Sequence, residues 1–426
     1  MALTTLLYLA ILLFCIIVSV MYHPFVGLIG YLSSYLIFPA GHWWGYSGGE
    51  LIIRSSYWLA VATALGILLH RSKLKFERLL DSHEILLLIF LACVWISTPL
   101  GLGMNPEETY ALKMTKIVIA LMMATHLVTD LKRYETILWV LIVAALYIGI
   151  EAYRAGPWYF MGGRIDRGIG GSDFSEGNFL AAHLSMSLPF ILIMFLKGGW
   201  KSKAICFFAA AFSVNSIILC RSRGVFLALT AGAISGVVLA QAEVRKKMIP
   251  WVLVGLLGAF YLTDPGFWMR IKEITFSTEQ TDRSILVRIE AWKGAFEMVK
   301  DHPLGVGEGN FKRIIGEYNP AIAGKDTHNT LLRCLAELGI QGLFVLLLLI
   351  GNAFRLLSSV SKLAEQSDKR KCFLWHIYAT RVALIIFLSS GLFITHTYIE
   401  EFYWLLMFPL FLKRSVQNDL AERPIV

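Results

Sequence analysis

Charged residues are scarce in this chain of 426 residues: they make up 16% of it, whereas apolar residues make up 57%. The mean hydropathy is +0.63. Soluble globular proteins have roughly a quarter charged residues, so this balance excludes an ordinary soluble domain. Apolar runs of about 20 residues, which is the length that crosses a bilayer, recur along the chain. The sequence therefore predicts an all-α polytopic membrane protein with a single transmembrane domain, residues 1–426.

Patterned cysteines and a cleavable leader are also missing. The six cysteines lie mostly in apolar stretches without a C-x-x-C pair, which favours small core residues over disulfides or a zinc site. The first apolar run, 3–20, lacks a basic start and an A-x-A-like cleavage site, so we expect a first membrane helix there. The net charge of +9 is expected in cytoplasmic loops, and no nucleic-acid partner is expected.

Thirteen apolar segments are candidate spans, and the second is short, so we expect 12–13 transmembrane helices. From the third span onward every second connection is basic, which predicts a cytoplasmic position for it. The alternate connections are then expected on the periplasmic side of a bacterial inner membrane. The candidate spans are 3–20, 25–38, 57–69, 85–99, 114–128, 137–150, 179–196, 203–219, 224–241, 251–262, 329–353, 375–394 and 402–412. The predicted periplasmic connections are 39–56, 100–113, 151–178, 220–223, 263–328 and 395–401.

The connection 263–328 is too long for a turn, which predicts a large periplasmic loop with short amphipathic helices, inserted between transmembrane helices. Five apolar residues in it recur at gaps of four and three, which places them on one helical face. This helix either lies in the membrane interface beside an active site or caps the bundle. The five residues are Ile285, Ile289, Trp292, Phe296 and Val299.

Arginine is unexpectedly frequent in the predicted periplasmic loops, where the positive-inside bias disfavours cations. Its planar guanidinium pairs two-pronged with phosphate and stays charged at physiological pH. The loops therefore predict a site for a polyprenyl diphosphate, although Arg221 and Arg223 in the short turn could instead contact lipid headgroups. The arginines in question are Arg154, Arg164, Arg167, Arg221, Arg223, Arg283 and Arg288.

The connection 151–178 is rich in glycine between residues 162 and 171. Glycines allow backbone amides to approach an anion closely, and Arg164 and Arg167 add positive charge, although a flexible loop would have the same composition. A divalent cation is the weaker interpretation because no D-x-D spacing occurs there. Its candidate ligands would be Asp166, Asp173 and Glu176.

A second glycine-rich stretch, 305–309, lacks the full G-x-G-x-x-G spacing and a preceding strand, which excludes a nucleotide-binding loop. We expect it to be a tight turn that directs the chain towards His328.

His328 precedes a long apolar helix at its predicted periplasmic end. Asn329, Arg333 and Glu337 follow at intervals of four residues and so share one helical face. Ionisable residues at membrane depth are functional by default and pair first with one another. The alternative is a structural pair of Arg333 and Glu337 beneath an ordinary interfacial histidine.

These residues resemble the O-antigen ligase superfamily. The similarity rests on His328-Asn329 followed, after nine residues, by Gly339 and then Gly342. Supporting features are Ser222-Arg223-Gly224, the helix that contains Arg288, and the stretches 303–311 and 161–184.

The resemblance implies a glycosyltransferase C-type membrane fold, a donor glycan linked to undecaprenyl diphosphate, and inverting transfer without metal or cofactor. The implied acceptor is a hydroxyl of a lipid A-core sugar or another glycan, and membrane lipids surround the protein. The superfamily also includes O-antigen or exopolysaccharide polymerases and protein O-oligosaccharyltransferases, which stay open as alternatives. A transporter or flippase of an anionic lipid-linked substrate is the alternative from another class.

The chemistry of such a transfer assigns roles to the residues. A sugar hydroxyl needs a base, and the near-neutral pKa of histidine suits His328 for that role. Diphosphate leaves readily once cations hold its charge. The predicted diphosphate ligands are Arg164, Arg167, Arg221, Arg223 and Arg288. Asn329, Arg333 and Glu337 are predicted to orient the site, and Asp173, His396 and Glu400 are further candidates.

Overall fold

The computed structural model describes residues 3–45, 48–73, 80–174, 176–240, 242–263, 266 and 283–422. This part of the chain is almost entirely helical, and its sheet is a hairpin of two short strands. Every candidate span coincides with a helix, and seven helices are long and apolar enough to cross a membrane by length and composition. The prediction of an all-α polytopic membrane protein is therefore confirmed.

The described helices are numbered here in chain order. They are α1 Leu3–Met21, α2 Phe25–Ile37, α3 Gly49–Ile53, α4 Ser55–Leu69, α5 Ser82–Leu100, α6 Ala111–Leu127, α7 Leu131–Tyr153, α8 Gly177–Lys197, α9 Trp200–Cys220, α10 Arg223–Leu239, α11 Ala242–Leu262, α12 Arg283–Asp301, α13 Phe311–Tyr318, α14 Thr330–Ala364, α15 Arg370–Ser390 and α16 Glu400–Ala421. The strands are β1 Phe160–Met161 and β2 Arg164–Ile165.

Acidic side chains cap the starts of two helices. Asp81 accepts a hydrogen bond from the backbone N–H of His83 (3.1 Å), and Glu84 accepts one from the N–H of Asp81 (2.6 Å). Asp130 accepts a hydrogen bond from the N–H of Arg133 (2.9 Å) at the start of α7. Because the first N–H groups of a helix have no partner inside it, these carboxylates stabilise the starts of α5 and α7.

The centre of the bundle is formed by α8, α15 and α16. In the most apolar 18-residue stretch of α8, and likewise of α15, 72% of the residues are buried. In α1 the corresponding share is 17%, so α1 lies at the periphery. In α16 every residue from Glu400 to Leu412 is buried. Such helices are apolar on all sides because protein, rather than lipid or water, surrounds them.

The basic connections meet at one end of the bundle, which we call the basic end. Lys413 Nζ lies 2.6 Å from Asp81 Oδ2, and Lys369 Nζ lies 2.6 Å from Asp419 Oδ1. The Asn418 amide donates a hydrogen bond to the carbonyl of Thr129 (2.8 Å). These contacts join the connections after α4, α6 and α14 to the C-terminal helix.

The other connections meet at the opposite end, which we call the site end. Asn105 donates a hydrogen bond to the carbonyl of Gly309 (2.7 Å), and Thr395 donates one to Asp326 (3.1 Å). The start of α10 is so close to the loop 391–399 that a Cβ on Gly224 would lie 2.5 Å from the Cβ of Phe393. All connections predicted to be periplasmic thus start and finish at the site end. Which side of the membrane this end faces stays a prediction.

The described part of the insertion contains α12 and α13. The five apolar residues predicted to share one face of α12 are not all buried, as they would be in a helix that only caps the bundle. Trp292 turns inward and donates a hydrogen bond to the carbonyl of Thr327 (2.9 Å), whereas Ile289 and Phe296 are 39% and 52% exposed. Small side chains let α12 pack closely on its neighbours, and the apolar residues beside them face outward. The buried residues of α12 include Ala291, Ala295 and Met298.

Candidate active site

Helix α14 is broken at Gly339, whose φ of 73° and ψ of −174° are not helical. A break inside a membrane bundle leaves carbonyls that need partners. The segment 303–307 supplies them: the N–H of Val306 donates to the carbonyl of Ala336 (2.9 Å), and the N–H of Gly307 donates to that of Glu337 (3.0 Å). The predicted tight turn is present, since the N–H of Gly305 donates to the carbonyl of His302 (2.9 Å), but the stretch also pairs with the broken helix.

Asn329 forms the N-cap of α14. Its side-chain oxygen accepts hydrogen bonds from the N–H groups of Leu331 and Leu332 (both 3.0 Å), and its amide donates one to the carbonyl of Leu392 (3.2 Å). The residue thus stabilises the helix start and ties it to the loop 391–399. Asn329 acts on His328 by holding the chain directly after it.

His328 has a left-handed backbone, with φ of 46°. Among the described non-glycine residues, Phe38 and Arg221 are the others with positive φ, and both also lie at the site end. Residues other than glycine adopt this backbone conformation at a cost of about 1–3 kcal/mol, and such residues cluster at functional sites. His328 is partly exposed.

The surroundings of His328 favour its neutral form. Burial lowers the pKa of its imidazole, and the nearby charges of Arg288, Lys312 and Lys325 lower it further. Asp326 opposes them and raises it. Because the net shift is downward, His328 is uncharged and able to accept a proton at neutral pH.

Arg333 lies fully buried among three carboxylates. Its Nη1 donates to Asp326 Oδ1 (3.1 Å) and its Nη2 to Glu108 Oε2 (3.0 Å). Its Nε lies 2.6 Å from Glu337 Oε1, although the N–H does not point along that line, so the contact is an ion pair. Glu337 also accepts a hydrogen bond from Tyr398 (2.8 Å). The predicted pair of Arg333 and Glu337 is present, but it belongs to a larger network.

The network extends to a second cation, because Lys312 Nζ lies 2.7 Å from Glu108 Oε1. Burial alone would raise the pKa of Asp326, but the charge of Arg333 above all, with that of Lys312 and a hydrogen bond from Thr395, lowers it to about 2. Asp326 is therefore ionised at neutral pH. The sequence pattern did not single out Glu108, Asp326 or Lys312, because nothing local marks them as partners of Arg333.

The glycines of the connection after α7 form the turn of the hairpin between β1 and β2. Phe160 pairs with Ile165, and the two intervening glycines, Gly162 and Gly163, have φ of 58° and 73°. Two central residues with positive φ define the turn type that fits a tight hairpin, which explains the glycines. A Cβ on Gly163 would lie 3.1 Å from Nη1 of Arg221, so this guanidinium lies against the turn.

The hairpin arginines already have neighbours. Nη2 of Arg164 lies 2.5 Å from Oδ1 of Asp166, and the guanidinium of Arg167 lies over the ring of Trp158 at 3.5 Å. Arg167 is exposed, while Arg164 is partly buried. Arg164 thus has a charge partner of its own, and a diphosphate would have to share it with Asp166.

Glu176, just before α8, connects the hairpin with the His328 region electrostatically. Desolvation raises the pKa of this carboxyl, and so do the charges of Asp326 and Asp166, while Lys312 and Arg164 oppose the shift. Glu176 therefore lies within electrostatic reach of both the hairpin region and the loop before α14. Arg223 opens α10 beside the loop 391–399, and Arg288 influences His328 from α12. The five predicted arginines all lie at the site end.

Asp173 and Glu400 face the interior of the bundle. Asp173 contacts Lys113 and accepts hydrogen bonds from the hydroxyl of Tyr35 and the N–H of Glu400 (both 3.0 Å). Oε1 of Glu400 accepts hydrogen bonds from Tyr31 (2.8 Å) and from the indole N–H of the tryptophan one turn on (2.9 Å). With an ammonium already against it, Asp173 is a poor ligand for a divalent cation.

His396 is also buried, with 2% of its surface exposed. Its ring stacks on Phe387 with centroids 4.2 Å apart, and Nε2 lies 3.0 Å from the hydroxyl of Ser390. Burial lowers the pKa of its imidazole to about 3. The ring is thus a neutral group that packs the loop 391–399 against α15.

One group of metal-binding side chains occurs among the described residues, and it lies at the basic end. Ligand atoms of Glu135, Cys372 and His376 all lie within 4.8 Å of one another. Nζ of Lys197 lies 2.8 Å from Sγ of Cys372 and also contacts Glu135. The lysine ammonium therefore occupies the place of a cation in this group.

The fold and the site define a multi-pass membrane protein with a cationic, histidine-bearing site at one end of its bundle. Residues 207–347, about a third of the chain, match the family model described as O-antigen ligase. The matched segment runs from α9 into α14 and includes Arg221, Arg223, Arg288 and His328. No curated protein matches the chain. The resemblance to the O-antigen ligase superfamily is confirmed, and its members are membrane glycosyltransferase-like enzymes that act on lipid-linked glycans.

Proposed function

We propose that this protein transfers a glycan from undecaprenyl diphosphate to an acceptor hydroxyl, with a lipid A-core sugar as the acceptor. The observation that carries the proposal is His328, a neutral and partly exposed imidazole held in a rare backbone conformation among cationic side chains. A base beside a set of cations is what the reaction needs, because the hydroxyl loses a proton while the leaving diphosphate gains charge.

In the proposed reaction the acceptor oxygen attacks the anomeric carbon of the donor. His328 takes the hydroxyl proton as the new C–O bond forms. The bond between the anomeric carbon and the diphosphate oxygen breaks, and the diphosphate leaves with the electron pair. A single displacement of this kind inverts the anomeric centre and uses no metal or cofactor.

The leaving diphosphate would be held by arginines from several elements. Arg164 and Arg167 come from the hairpin region, Arg221 and Arg223 from the turn between α9 and α10, and Arg288 from α12. Guanidinium groups bind phosphate oxygens two-pronged and need no proton transfer. Because these residues are far apart in sequence, their common position at the site end supports a shared ligand.

An apolar cavity of about 280 Å³ opens between α14 and α15 next to the start of α14. It gives space for part of an isoprenoid or acyl chain while the polar end of the lipid reaches His328. Its lining includes Thr330, Leu331, Ile350, Phe387, Leu392 and Phe402.

We further propose that the site end faces the periplasm and the membrane is the bacterial inner membrane. The opposite end gathers the basic connections, and positive loops remain in the cytoplasm. The two ends are separated along the bundle, so one orientation accounts for every connection from α4 onward.

A transporter would explain one feature of α14, because broken helices line the substrate sites of many transporters. In this protein, however, the carbonyls freed at the break accept hydrogen bonds from Val306 and Gly307. The break is thus filled by protein and offers no vacant helix end to an ion. This favours an enzyme, and glycan transfer by purified protein in detergent would establish it, since no second compartment exists there.

The test of the proposal is transfer by purified protein with a defined lipid-linked donor. Offering a lipid A-core acceptor, a donor-linked repeat unit and a protein acceptor in parallel separates ligase, polymerase and protein glycosylation. We expect His328→Ala to lose roughly 10²–10⁴-fold in turnover while it still folds and binds donor lipid. His302→Ala, which removes another imidazole from the same insertion, is the matched control and should keep its turnover.

The pH profile adds a second check. Only the neutral imidazole accepts a proton, and the folded protein lowers the pKa of His328 below its ordinary value of 6.5. The wild-type rate should therefore hold through neutral pH and fall only as the pH drops below that lowered pKa. Near-normal turnover per folded molecule of His328→Ala would eliminate the general base.

A further inference from the structure

The residues 326–329 alternate between partly exposed and buried. Thr327 and Asn329 are buried, whereas Asp326 and His328 are partly exposed. Thr327 turns inward, where its hydroxyl donates to the carbonyl of Asn329 (3.0 Å) and lies 3.4 Å from that of Thr395. The carboxylate and the imidazole therefore border the solvent-accessible side of this segment together.

Every hydrogen bond that the described residues donate to the Asp326 carboxylate is accepted by the same oxygen, Oδ1. Oδ1 accepts from the hydroxyl of Thr395 (3.1 Å) and from Nη1 of Arg333 (3.1 Å), and it lies 3.2 Å from the hydroxyl oxygen of Thr327. These partners come from the same segment, from the loop 391–399 and from α14. They hold the carboxylate in place two residues before His328, on the same solvent-accessible side of the segment.

Among the charged groups around His328, Asp326 is the one that favours the protonated imidazole. Lys325 lies on the same segment, Arg288 on α12 and Lys312 on α13, and all three cations disfavour a protonated imidazole. Asp326 is the anion that acts in the opposite direction. Its own charge is secure because Arg333 holds its carboxylate in the ionised form.

We propose that Asp326 is the positioning residue of His328: its carboxylate, held two residues away on the same solvent-accessible side, provides the negative charge that stabilises the imidazolium formed during transfer. The inference rests on the proposed function of His328. The proton moves from the acceptor hydroxyl to the imidazole and stays there, while the carboxylate remains ionised. Without Asp326, the imidazolium would form beside three cations and would lose the carboxylate that favours the protonated ring.

The experiment compares turnover as a function of pH for wild type, Asp326→Asn, Asp326→Glu and His328→Ala. Asp326→Asn should lower kcat by at least about 10-fold and by no more than the 10²–10⁴-fold loss of the base itself, with KM for the donor unchanged. Its acid limb should move to lower pH, because removal of the negative charge lowers the pKa of His328 further. Asp326→Glu should restore part of the rate.

Thr395→Ala is the structural control, because it removes one hydrogen bond to Oδ1 and leaves the negative charge of Asp326 in place. Its acid limb should match that of wild type. A lower rate in Asp326→Asn without any movement of the acid limb would overturn the proposal, because Asp326 would then act only through Arg333.

Chemical modification of His328 keeps the test independent of turnover. Diethyl pyrocarbonate reacts with neutral imidazole, so its reaction at His328, followed by mass spectrometry, reports the ionisation of this residue. The midpoint should lie at lower pH in Asp326→Asn than in wild type, and equal midpoints would refute the coupling. If His328→Ala keeps its turnover, the proposed base is wrong. If the losses of Asp326→Asn and His328→Ala add in the double variant, only the role of Asp326 is rejected.

Discussion

Replacement of Gly339 by alanine should destabilise the protein strongly, because two independent constraints require glycine there. The residue has φ of 73° with ψ near 180°, a region that is essentially restricted to glycine. A Cβ at this position would also lie 2.4 Å from the carbonyl carbon of Leu304. Backbone cannot move aside as a side chain can, so the segment 303–307 would have to shift.

The size of the effect follows from these contacts. The backbone conformation costs an alanine about 1–3 kcal/mol. A shift of the segment also weakens the bonds from Val306 to Ala336 and from Gly307 to Glu337, each with a net contribution of about 1 kcal/mol. We therefore expect Gly339→Ala to lose about 3–5 kcal/mol of folding free energy.

Gly351→Ala in the same helix is the matched control. A Cβ at Gly351 meets nothing within 4 Å, and its helical backbone accepts alanine. Alanine in a helix interior is favoured over glycine by about 0.5–1 kcal/mol, so this variant should keep or raise the wild-type stability. Both variants would be purified in detergent, and the temperature at which each loses its monodisperse form would be compared with that of wild type.

Equal thermal stability of Gly339→Ala and wild type would refute the reasoning, because neither the strain nor the close approach would then be real. A reciprocal check uses Gly305, where a Cβ would lie 2.4 Å from the carbonyl oxygen of Glu337. Because both glycines serve one contact, the losses of Gly305→Ala and Gly339→Ala should not add in the double variant.

Three further outcomes are expected. Arg223→Lys keeps the charge but loses the planar donors, so transfer should fall well below wild type, and full activity in both it and Arg223→Ala would reduce the residue to a lipid contact. Transfer should survive a strong chelator, and a loss rescued by magnesium would move attention to Asp166 and Glu176. In a cysteine-free variant, single cysteines placed in 154–166 should react with an impermeant thiol reagent in intact cells, whereas cysteines in 355–371 should not; labelling of the latter would reverse the orientation.

The class of protein and the helices could be predicted from the sequence because both depend on local composition. Apolar runs of membrane length specify spans wherever they fold, and basic residues mark which connections belong together. The facing positions of Arg333 and Glu337 are also local, since they follow from helix periodicity. The match of residues 207–347 to the O-antigen ligase family agrees with the motif around His328.

Only the tertiary structure decided which residues share the site. Glu108 and Arg333 lie 225 positions apart in the chain, and no periodicity relates them. The partner of the break at Gly339 is likewise set by packing, because any segment with free N–H groups could have filled it. Asp173 and His396 were candidates as polar loop residues, but the bundle buries both. Sequence patterns report what neighbouring residues do along one element, whereas a buried charge is matched by whichever element the fold brings against it.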